Sequence, residues 1–218
     1  MNRYDRQKRT RKSMPEADWT AGTIGSAEYE FAPLQGYRLG VIAGFDRETG
    51  HHPGCRLRRR QNREQVGCNR TQGKVYGVDH ATESVAMAMR TNKQWIDTGR
   101  VEVREESVSR LPFSDGAFDV ITAVETHFWW PALPTDLREV LRVLKPGGRL
   151  IVIAEVYKGA ETFTSKAVER YSEKTGMALL SVEEHRGLLT DAGYSEVKVS
   201  TEPRKGWICC IGSKASVS

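Results

Sequence analysis

The chain has 218 residues, the length of one domain with a full core, and carries a net charge of +5 at neutral pH. It contains no apolar run of the ~18 residues that span a bilayer, and its basic start lacks the apolar stretch of a secretory signal. The four cysteines form no C-x-x-C pair, which fits a reducing compartment, so we expect a cytoplasmic protein without a membrane partner.

The positive charge lies in the first third of the chain. Residues 1–70 contain 14 Lys and Arg against 8 Asp and Glu, whereas residues 71–218 contain 19 against 20. The first thirty residues show no sustained period and predict a loop or a disordered tail. We therefore divide the chain into an atypical N-terminal region, 1–70, and a domain, 71–218. The basic region leaves RNA binding open as an alternative function.

Residues 51–70 read HHPGCRLRRRQNREQVGCNR, which is rich in arginine and poor in apolar residues. Such a run does not fit a central strand of a buried sheet. Its two histidines and two cysteines lack the paired spacing of a zinc site, so no metal is expected.

From Lys74 onward, apolar β-branched runs alternate with helical periods. This alternation predicts an α/β domain with a parallel sheet that is buried on both faces. The predicted strands cover residues 75–79, 101–104, 118–124, 149–156, 195–200 and 207–212, with a further short strand within 38–43. The predicted helices begin at a Thr82 cap, cover residues 135–144, and begin again at the capping box Ser181-Val-Glu-Glu.

Residues 111–148 read LPFSDGAFDVITAVETHFWWPALPTDLREVLRVLKPGG. The order of LPF, then FD opening a strand, then RVLKPGG resembles the class I S-adenosylmethionine-dependent methyltransferases, and the resemblance extends from about residue 73 to 214. It implies a Rossmann-like, doubly wound, seven-stranded and mostly parallel sheet closed by a C-terminal antiparallel hairpin. It also implies S-adenosylmethionine as cofactor and a small-molecule methyl acceptor, with nucleic acid not expected and a monomer or homodimer as the assembly.

The glycine-rich loop that follows the first strand in this family is missing from the expected window, about 20 residues before Asp79. If the codons of residues 52–60 are read one nucleotide later, they permit I-L-D-V-G-C-G-G-G, and those of residues 61–70 permit K-T-A-S-K-L-A-A-T-A. We therefore interpret the chain before about Thr71 as translated out of the ancestral frame. A catalytically defective product remains an alternative.

The resemblance assigns cofactor contacts to the residues that follow three predicted strands. Asp79, with the adjacent His80, ends one strand and accepts the ribose hydroxyls, although an acidic residue there also suits NAD. Ser107 and Val108 align with the pair that contacts adenine, with Ser107 in place of the usual Asp. Val124 and Glu125 follow the next strand and face the cofactor or the substrate.

Two further features concern the acceptor. His127 is a candidate general base and Glu125 a candidate catalytic carboxylate, although a lone histidine is more often structural. The aromatic run at 128–130 fits the wall of an active-site mouth or an ordinary core. By the same resemblance, residues 157–180 correspond to the family's substrate lid, and they include Tyr157, Phe163 and Tyr171.

Overall fold

The computed structural model describes residues 74–216 throughout and, before them, the backbone of five short strands. These are β1 (Gly22–Ile24), β2 (Ala27–Tyr29), β3 (Val41–Ile42), β4 (Arg56–Arg60) and β5 (Arg63–Gly67). The strands β1 and β2 pair antiparallel, as do β4 and β5. The prediction of an unstructured first thirty residues is therefore wrong for β1 and β2. The proposed domain boundary at 70/71 lies outside the described residues.

The described residues 74–216 contain six strands and five α-helices. The strands are β6 (Val75–Asp79), β7 (Val101–Glu105), β8 (Phe118–Val124), β9 (Leu144–Ala154), β10 (Ser195–Glu202) and β11 (Trp207–Ser213). The helices are α1 (Thr82–Thr91), α2 (Lys93–Asp97), α3 (Leu133–Val143), α4 (Phe163–Thr175) and α5 (Val182–Asp191). Among the described helices, none is long and apolar enough to cross a membrane.

These strands, together with β3, form two hydrogen-bonded sheets. One has four strands in the order β10-β11-β9-β8, and the other has three in the order β3-β6-β7. The pairs β6–β7 and β8–β9 are parallel, whereas β9–β11 and β10–β11 are antiparallel. The α/β class and the C-terminal hairpin are thus confirmed. A single sheet of seven strands remains a prediction.

Strand β3 lies beside β6 on the side away from β7. Among the described residues it pairs antiparallel at two positions, Val41 opposite Gly77 and Ile42 opposite Tyr76. Tyr76 of β6 also packs edge-on against Phe118 of β8, with ring centroids 5.6 Å apart. The described strands therefore bring β6 and β8 together without a parallel strand between them.

Helix α3 packs its apolar face on the sheet. Leu137, Val140 and Val143 repeat at a helical spacing and are 4%, 1% and 0% exposed. They join a core that includes Leu150 and Val152 of β9. The predicted helix is confirmed with bounds two residues earlier at its start and one at its end.

The K-P-G-G segment forms part of β9, so this strand begins five residues before its predicted start at 149. Leu144 is already extended and pairs with Phe118, and the register then shifts where residues 145–148 bulge. Gly147 has φ +75°, and a Cβ at Gly148 would lie 2.8 Å from the carbonyl oxygen of Lys145. The two glycines therefore let the strand begin directly after the helix.

The L-P-F loop is held against α3 by one arginine. Arg142 donates to the carbonyl oxygens of Leu111 and Phe113 and to the carboxylates of Asp115 and Glu139. Glu139 also accepts the backbone N–H of Leu111. The signature segments LPF and RVLKPGG are thus connected by packing and hydrogen bonds.

Helix α1 begins at Thr82 itself, so its N-cap lies one residue earlier than predicted. Ala81 is the N-cap, and Thr82 instead donates its hydroxyl to the carboxylate of Glu105 at the end of β7. The predicted capping role of Thr82 is therefore wrong. The capping box at Ser181, by contrast, is confirmed, with both reciprocal hydrogen bonds to Glu184 present.

Candidate active site

Asp79 lies at the carboxyl end of β6 and its side chain is only 8% exposed. One carboxylate oxygen, Oδ1, accepts the backbone N–H of Ala81 at 2.9 Å, and its carbonyl oxygen accepts the N–H of Glu106. These bonds hold the carboxylate at the edge where parallel strands end. His80 beside it is exposed, with Nδ1 3.7 Å from Asp79 Oδ1.

Ser107 and Val108 lie in the loop after β7, the strand next to β6. The hydroxyl of Ser107 accepts the backbone N–H of Ser109 at 3.2 Å, which folds the loop into a tight turn. Val108 packs partly against the main core. Because β6 and β7 are parallel and in register from Val75 to Asp79, this loop lies at the same edge as Asp79.

Glu125 follows β8 and has a left-handed backbone conformation, with φ +55°. Its N–H donates to the carbonyl oxygen of Ile153, and its carboxylate accepts the N–H of Glu155. The side chain therefore joins the carboxyl ends of β8 and β9. A non-glycine residue in this conformation stores strain that often accompanies a functional site. Val124 before it is buried in β8.

His127 lies in a short 3-10 turn after β8 and is 2% exposed. Its Nε2 is 3.0 Å from Nε2 of His185 on α5, whose own Nδ1 is 2.7 Å from the carbonyl oxygen of Ser181. Burial, together with His185, lowers the pKa of His127 to about 3, so the ring is neutral at physiological pH. His127 is thus a buried residue that lies just after the carboxyl end of β8.

The aromatic residues divide between core and surface. Phe128 and Tyr157 are buried in the main core, and Trp129 and Trp130 pack partly against it. Phe163 and Tyr171 on α4 are 84% and 51% exposed. Of the three aromatic residues in the predicted lid, two therefore present their rings to the surface.

His185 is the site residue that sequence reasoning missed. It lies 58 positions after its partner His127, in a helix whose capping box and apolar spacing account for it as a core residue. Among the described residues, no group of three or more metal-ligating side chains is present.

Comparison with known protein families finds a match. Residues 61–152 match the methyltransferase domain family. The match begins after residues 52–60, where the glycine-rich loop was expected. Over this part of its length the chain is thus similar to the S-adenosylmethionine-dependent methyltransferases. The predictions of this family and of S-adenosylmethionine as its cofactor are thereby confirmed.

Curated relatives of this chain include several proteins that are named as methyltransferases. The O-methyltransferase cnsE of Penicillium expansum is 29% identical over 126 residues, which cover 58% of this chain and 45% of that protein. The ubiquinone/menaquinone biosynthesis C-methyltransferase UbiE of Pseudomonas fluorescens is 40% identical over 80 residues, 34% of this chain and 29% of that protein. The chain thus spans less than half the length of these relatives.

Solved structures confirm the fold. A possible histamine N-methyltransferase from Thermotoga maritima superposes with a TM-score of 0.51 at 24% identity, covering 64% of this chain and 72% of that one. A SAM-dependent methyltransferase from Aquifex aeolicus superposes with a TM-score of 0.51 at 23% identity, covering 65% and 69%. At these identities the likeness shows the shared fold alone.

The described residues fit the adenosine half of S-adenosylmethionine. A shielded carboxylate at the end of β6 matches a ribose diol, because each carboxylate oxygen accepts hydrogen bonds and Oδ1 is already fixed by Ala81. The loop at Ser107 and Val108 offers a partly apolar surface beside it. The glycine-rich loop expected for the methionine half falls in residues 52–60, where the structure describes only the backbone of β4.

Proposed function

We propose that this methyltransferase transfers the methyl group of S-adenosylmethionine to a small organic acceptor. The match of residues 61–152 to the methyltransferase domain family carries the proposal. The names of two relatives support a small acceptor, since one is an O-methyltransferase and another is a demethylmenaquinone methyltransferase from Lactococcus lactis. The domain itself is close to neutral in charge, which does not favour a nucleic-acid substrate.

The cofactor supplies a methyl group that its sulfonium already activates, so the chain mainly binds, orients and excludes water. We assign Asp79, with His80 beside it, to the ribose and the loop of Ser107 and Val108 to the adenine. Val124 and Glu125 bound the pocket at the end of β8. The carboxylate of Glu125 positions the ends of β8 and β9 through Glu155, and this contact supports a positioning role.

We further propose that the chain before about Thr71 is out of the ancestral reading frame. The two-residue antiparallel pairing of β3 with β6 supports this, because a full parallel strand is expected at that edge. Reading the coding DNA of codons 50–71 in all three frames tests the idea. A shifted frame that encodes no glycine-rich loop would exclude it.

The basic residues 1–70 support a second candidate, an RNA methyltransferase. A defective methyltransferase-like protein is the third, since the printed chain lacks the glycine-rich loop. One assay separates the three candidates. The full chain is incubated with methyl-labelled S-adenosylmethionine, a panel of phenols, catechols and aromatic amines, and total RNA, and the label is then fractionated by size.

Label in the small-molecule fraction supports the proposal. Label that is lost on RNase treatment supports the RNA enzyme, and no transfer supports the defective protein. The Asp79→Asn variant should lose transfer, because an amide has one acceptor oxygen fewer for the ribose. The Asp97→Asn variant is the matched control, since Asp97 is exposed on α2 and pairs only with Lys93 in the described contacts.

A further inference from the structure

The turn after β8 contains two neighbouring side chains with unsatisfied polar atoms. Oγ1 of Thr126 and Nδ1 of His127 are buried and have no hydrogen-bond partner among the described residues. The two residues are 8% and 2% exposed. A buried polar atom without a hydrogen-bond partner lowers stability, and native proteins keep few of them. Because open α/β sheets bind ligands at this edge, a bound ligand is the natural partner.

The hydrogen bonds between His127 and α5 determine which ring nitrogen carries hydrogen. The carbonyl oxygen of Ser181 can only accept, so Nδ1 of His185, 2.7 Å away, is the donor. Nε2 of a neutral His185 is then an acceptor. Since it lies 3.0 Å from Nε2 of His127, His127 donates from Nε2 and keeps a lone pair on Nδ1.

The surroundings of the pair favour a positive charge on His185 over one on His127. Burial and the neighbouring His185 lower the pKa of His127 to about 3. Burial also lowers the pKa of His185, but the carbonyl oxygen of Ser181 and the carboxylate of Glu184 act in the opposite direction. Glu183 and Arg186 are also charged and lie on this turn of α5, and Nζ of Lys158 is 3.8 Å from the carboxylate of Glu184.

We propose that Nδ1 of His127 accepts the hydrogen of a hydroxyl or amine on the methyl acceptor, and that His185 is the positioning residue that fixes the required tautomer. This rests on the proposed function and narrows the acceptor to oxygen or nitrogen nucleophiles that bear hydrogen. Thr126 supplies a second polar atom beside the same ligand group.

The transfer step conserves atoms and charge. A lone pair on the acceptor oxygen or nitrogen forms the bond to the methyl carbon, while the carbon–sulfur bond breaks and leaves its electron pair on sulfur. The acceptor's proton moves to Nδ1 of His127, and the hydrogen on Nε2 moves to Nε2 of His185. His127 is then neutral again, and His185 carries one positive charge beside Glu184 until solvent takes the proton.

The tautomers are measured by long-range ¹H–¹⁵N NMR on the full chain labelled at histidine, without cofactor. We expect His127 to be protonated at Nε2 and His185 at Nδ1. His185→Gln keeps an acceptor oxygen and should preserve the His127 tautomer, whereas His185→Leu should give a mixture. Glu183→Gln, on the exposed face of the same helix, is the control. A protonated Nδ1 on His127, or an unchanged tautomer in the Leu variant, overturns the positioning role.

Recognition of a hydrogen donor is tested with phenol as the probe and anisole, which lacks the hydroxyl, as its control. Phenol should move the ¹⁵N resonance of His127 Nδ1 upfield, and anisole should not. Equal effects, or no effect of phenol up to its solubility limit, overturn the assignment of the acceptor class. Neither readout requires S-adenosylmethionine. A chain that fails to bind the cofactor but shows these spectra contradicts the proposed function alone.

Discussion

At the end of β8, the backbone of Glu125 adopts φ +55° while its carboxylate accepts the N–H of Glu155. A side chain with a Cβ costs roughly 1–2 kcal/mol in this conformation, whereas glycine does not. The hydrogen bond to a charged acceptor contributes about 1.5–3 kcal/mol. The contact therefore offsets the strain, and the residue is held where a ligand would meet the sheet.

Three variants of Glu125 distinguish the cost of the backbone strain from the contribution of the hydrogen bond. We expect Glu125→Ala to unfold most easily in urea, because it keeps the strain and loses the acceptor. Glu125→Gly should recover about 1 kcal/mol of the free energy of unfolding relative to Ala. Glu125→Gln should lie between the Ala variant and the wild type, because it keeps an acceptor oxygen but loses its charge. Equal stability of the Ala and Gly variants would show that the left-handed conformation carries no cost.

Glu139 makes stability depend on pH. Its hydrogen bond with Arg142 holds the pKa below the usual 4.5, with help from the N–H of Leu111 and against the effect of burial. A lowered folded-state pKa gives stability that is present above about pH 4.5 and is lost as pH falls through the folded-state value.

The matched variant is Glu139→Gln, which keeps the size of the side chain and removes the charge. The difference in unfolding free energy between wild type and variant should be constant near pH 7 and should shrink below about pH 4.5. Urea titrations from pH 3 to 8 measure it. A difference that is the same at pH 3 and pH 7 contradicts the assigned ion pair.

At the scale of elements, the passage from α3 to β9 depends on a bulge that has no room for a side chain. Gly148 is buried, and a Cβ there would lie 2.8 Å from the carbonyl oxygen of Lys145 and 3.1 Å from those of Phe118 and Asp119. These are backbone atoms, so moving them away from the added Cβ would disturb the pairing of β8 with β9. By contrast, a Cβ at Gly187 on α5 meets open space.

Replacing each glycine by alanine should therefore have opposite effects. Gly148→Ala should lose about 1–3 kcal/mol of unfolding free energy through overpacking. Gly187→Ala should gain about 0.5–1 kcal/mol, because alanine is the better helix former. Thermal unfolding of the two variants compares them directly. Destabilisation of both to the same extent would contradict the packing assigned to the bulge.

Elements with a regular apolar period were predictable from sequence. The strands β6, β8 and β11, as well as the helix α5 with its capping box, follow the pattern within one or two residues. Helix α4 was missed because it buries only Ser165 and so has no apolar stripe. The early start of β9 was missed because a glycine pair indicates a turn as readily as a bulge.

In the candidate active site, the positions that could be predicted from sequence are those of residues at the ends of strands. Asp79 and Glu125 stand at such ends, and the structure places both at the carboxyl edge of parallel strands. The contact between His127 and His185 was not predictable, because the two residues are 58 positions apart in the sequence. The roles assigned to these residues remain predictions.

At the scale of the whole molecule, we expect the least stable part of the sheet to be the edge of β6 that faces β8. There, within the described part of the chain, β3 pairs with two of the five residues of β6. Each backbone hydrogen bond that is made contributes about 0.5–1.5 kcal/mol, and a buried group left without one costs more. A parallel strand with a glycine-rich loop would satisfy this edge.

Replacing residues 52–70 by the shifted-frame peptide ILDVGCGGGKTASKLAATA should therefore raise the unfolding free energy by at least about 2 kcal/mol, as measured in urea. A scrambled peptide of the same composition is the control and should give no gain. If both replacements act alike, the frame hypothesis loses its structural support.

The most direct test of a methyltransferase site at the ends of β6, β7 and β8 is a calorimetric titration of S-adenosylmethionine into the full chain and its Asp79→Asn variant. We predict saturable binding at one site and an affinity about tenfold lower in the variant, which corresponds to ~1.4 kcal/mol for the weakened ribose contact. Absence of binding, or equal affinity in the two proteins, would contradict the account.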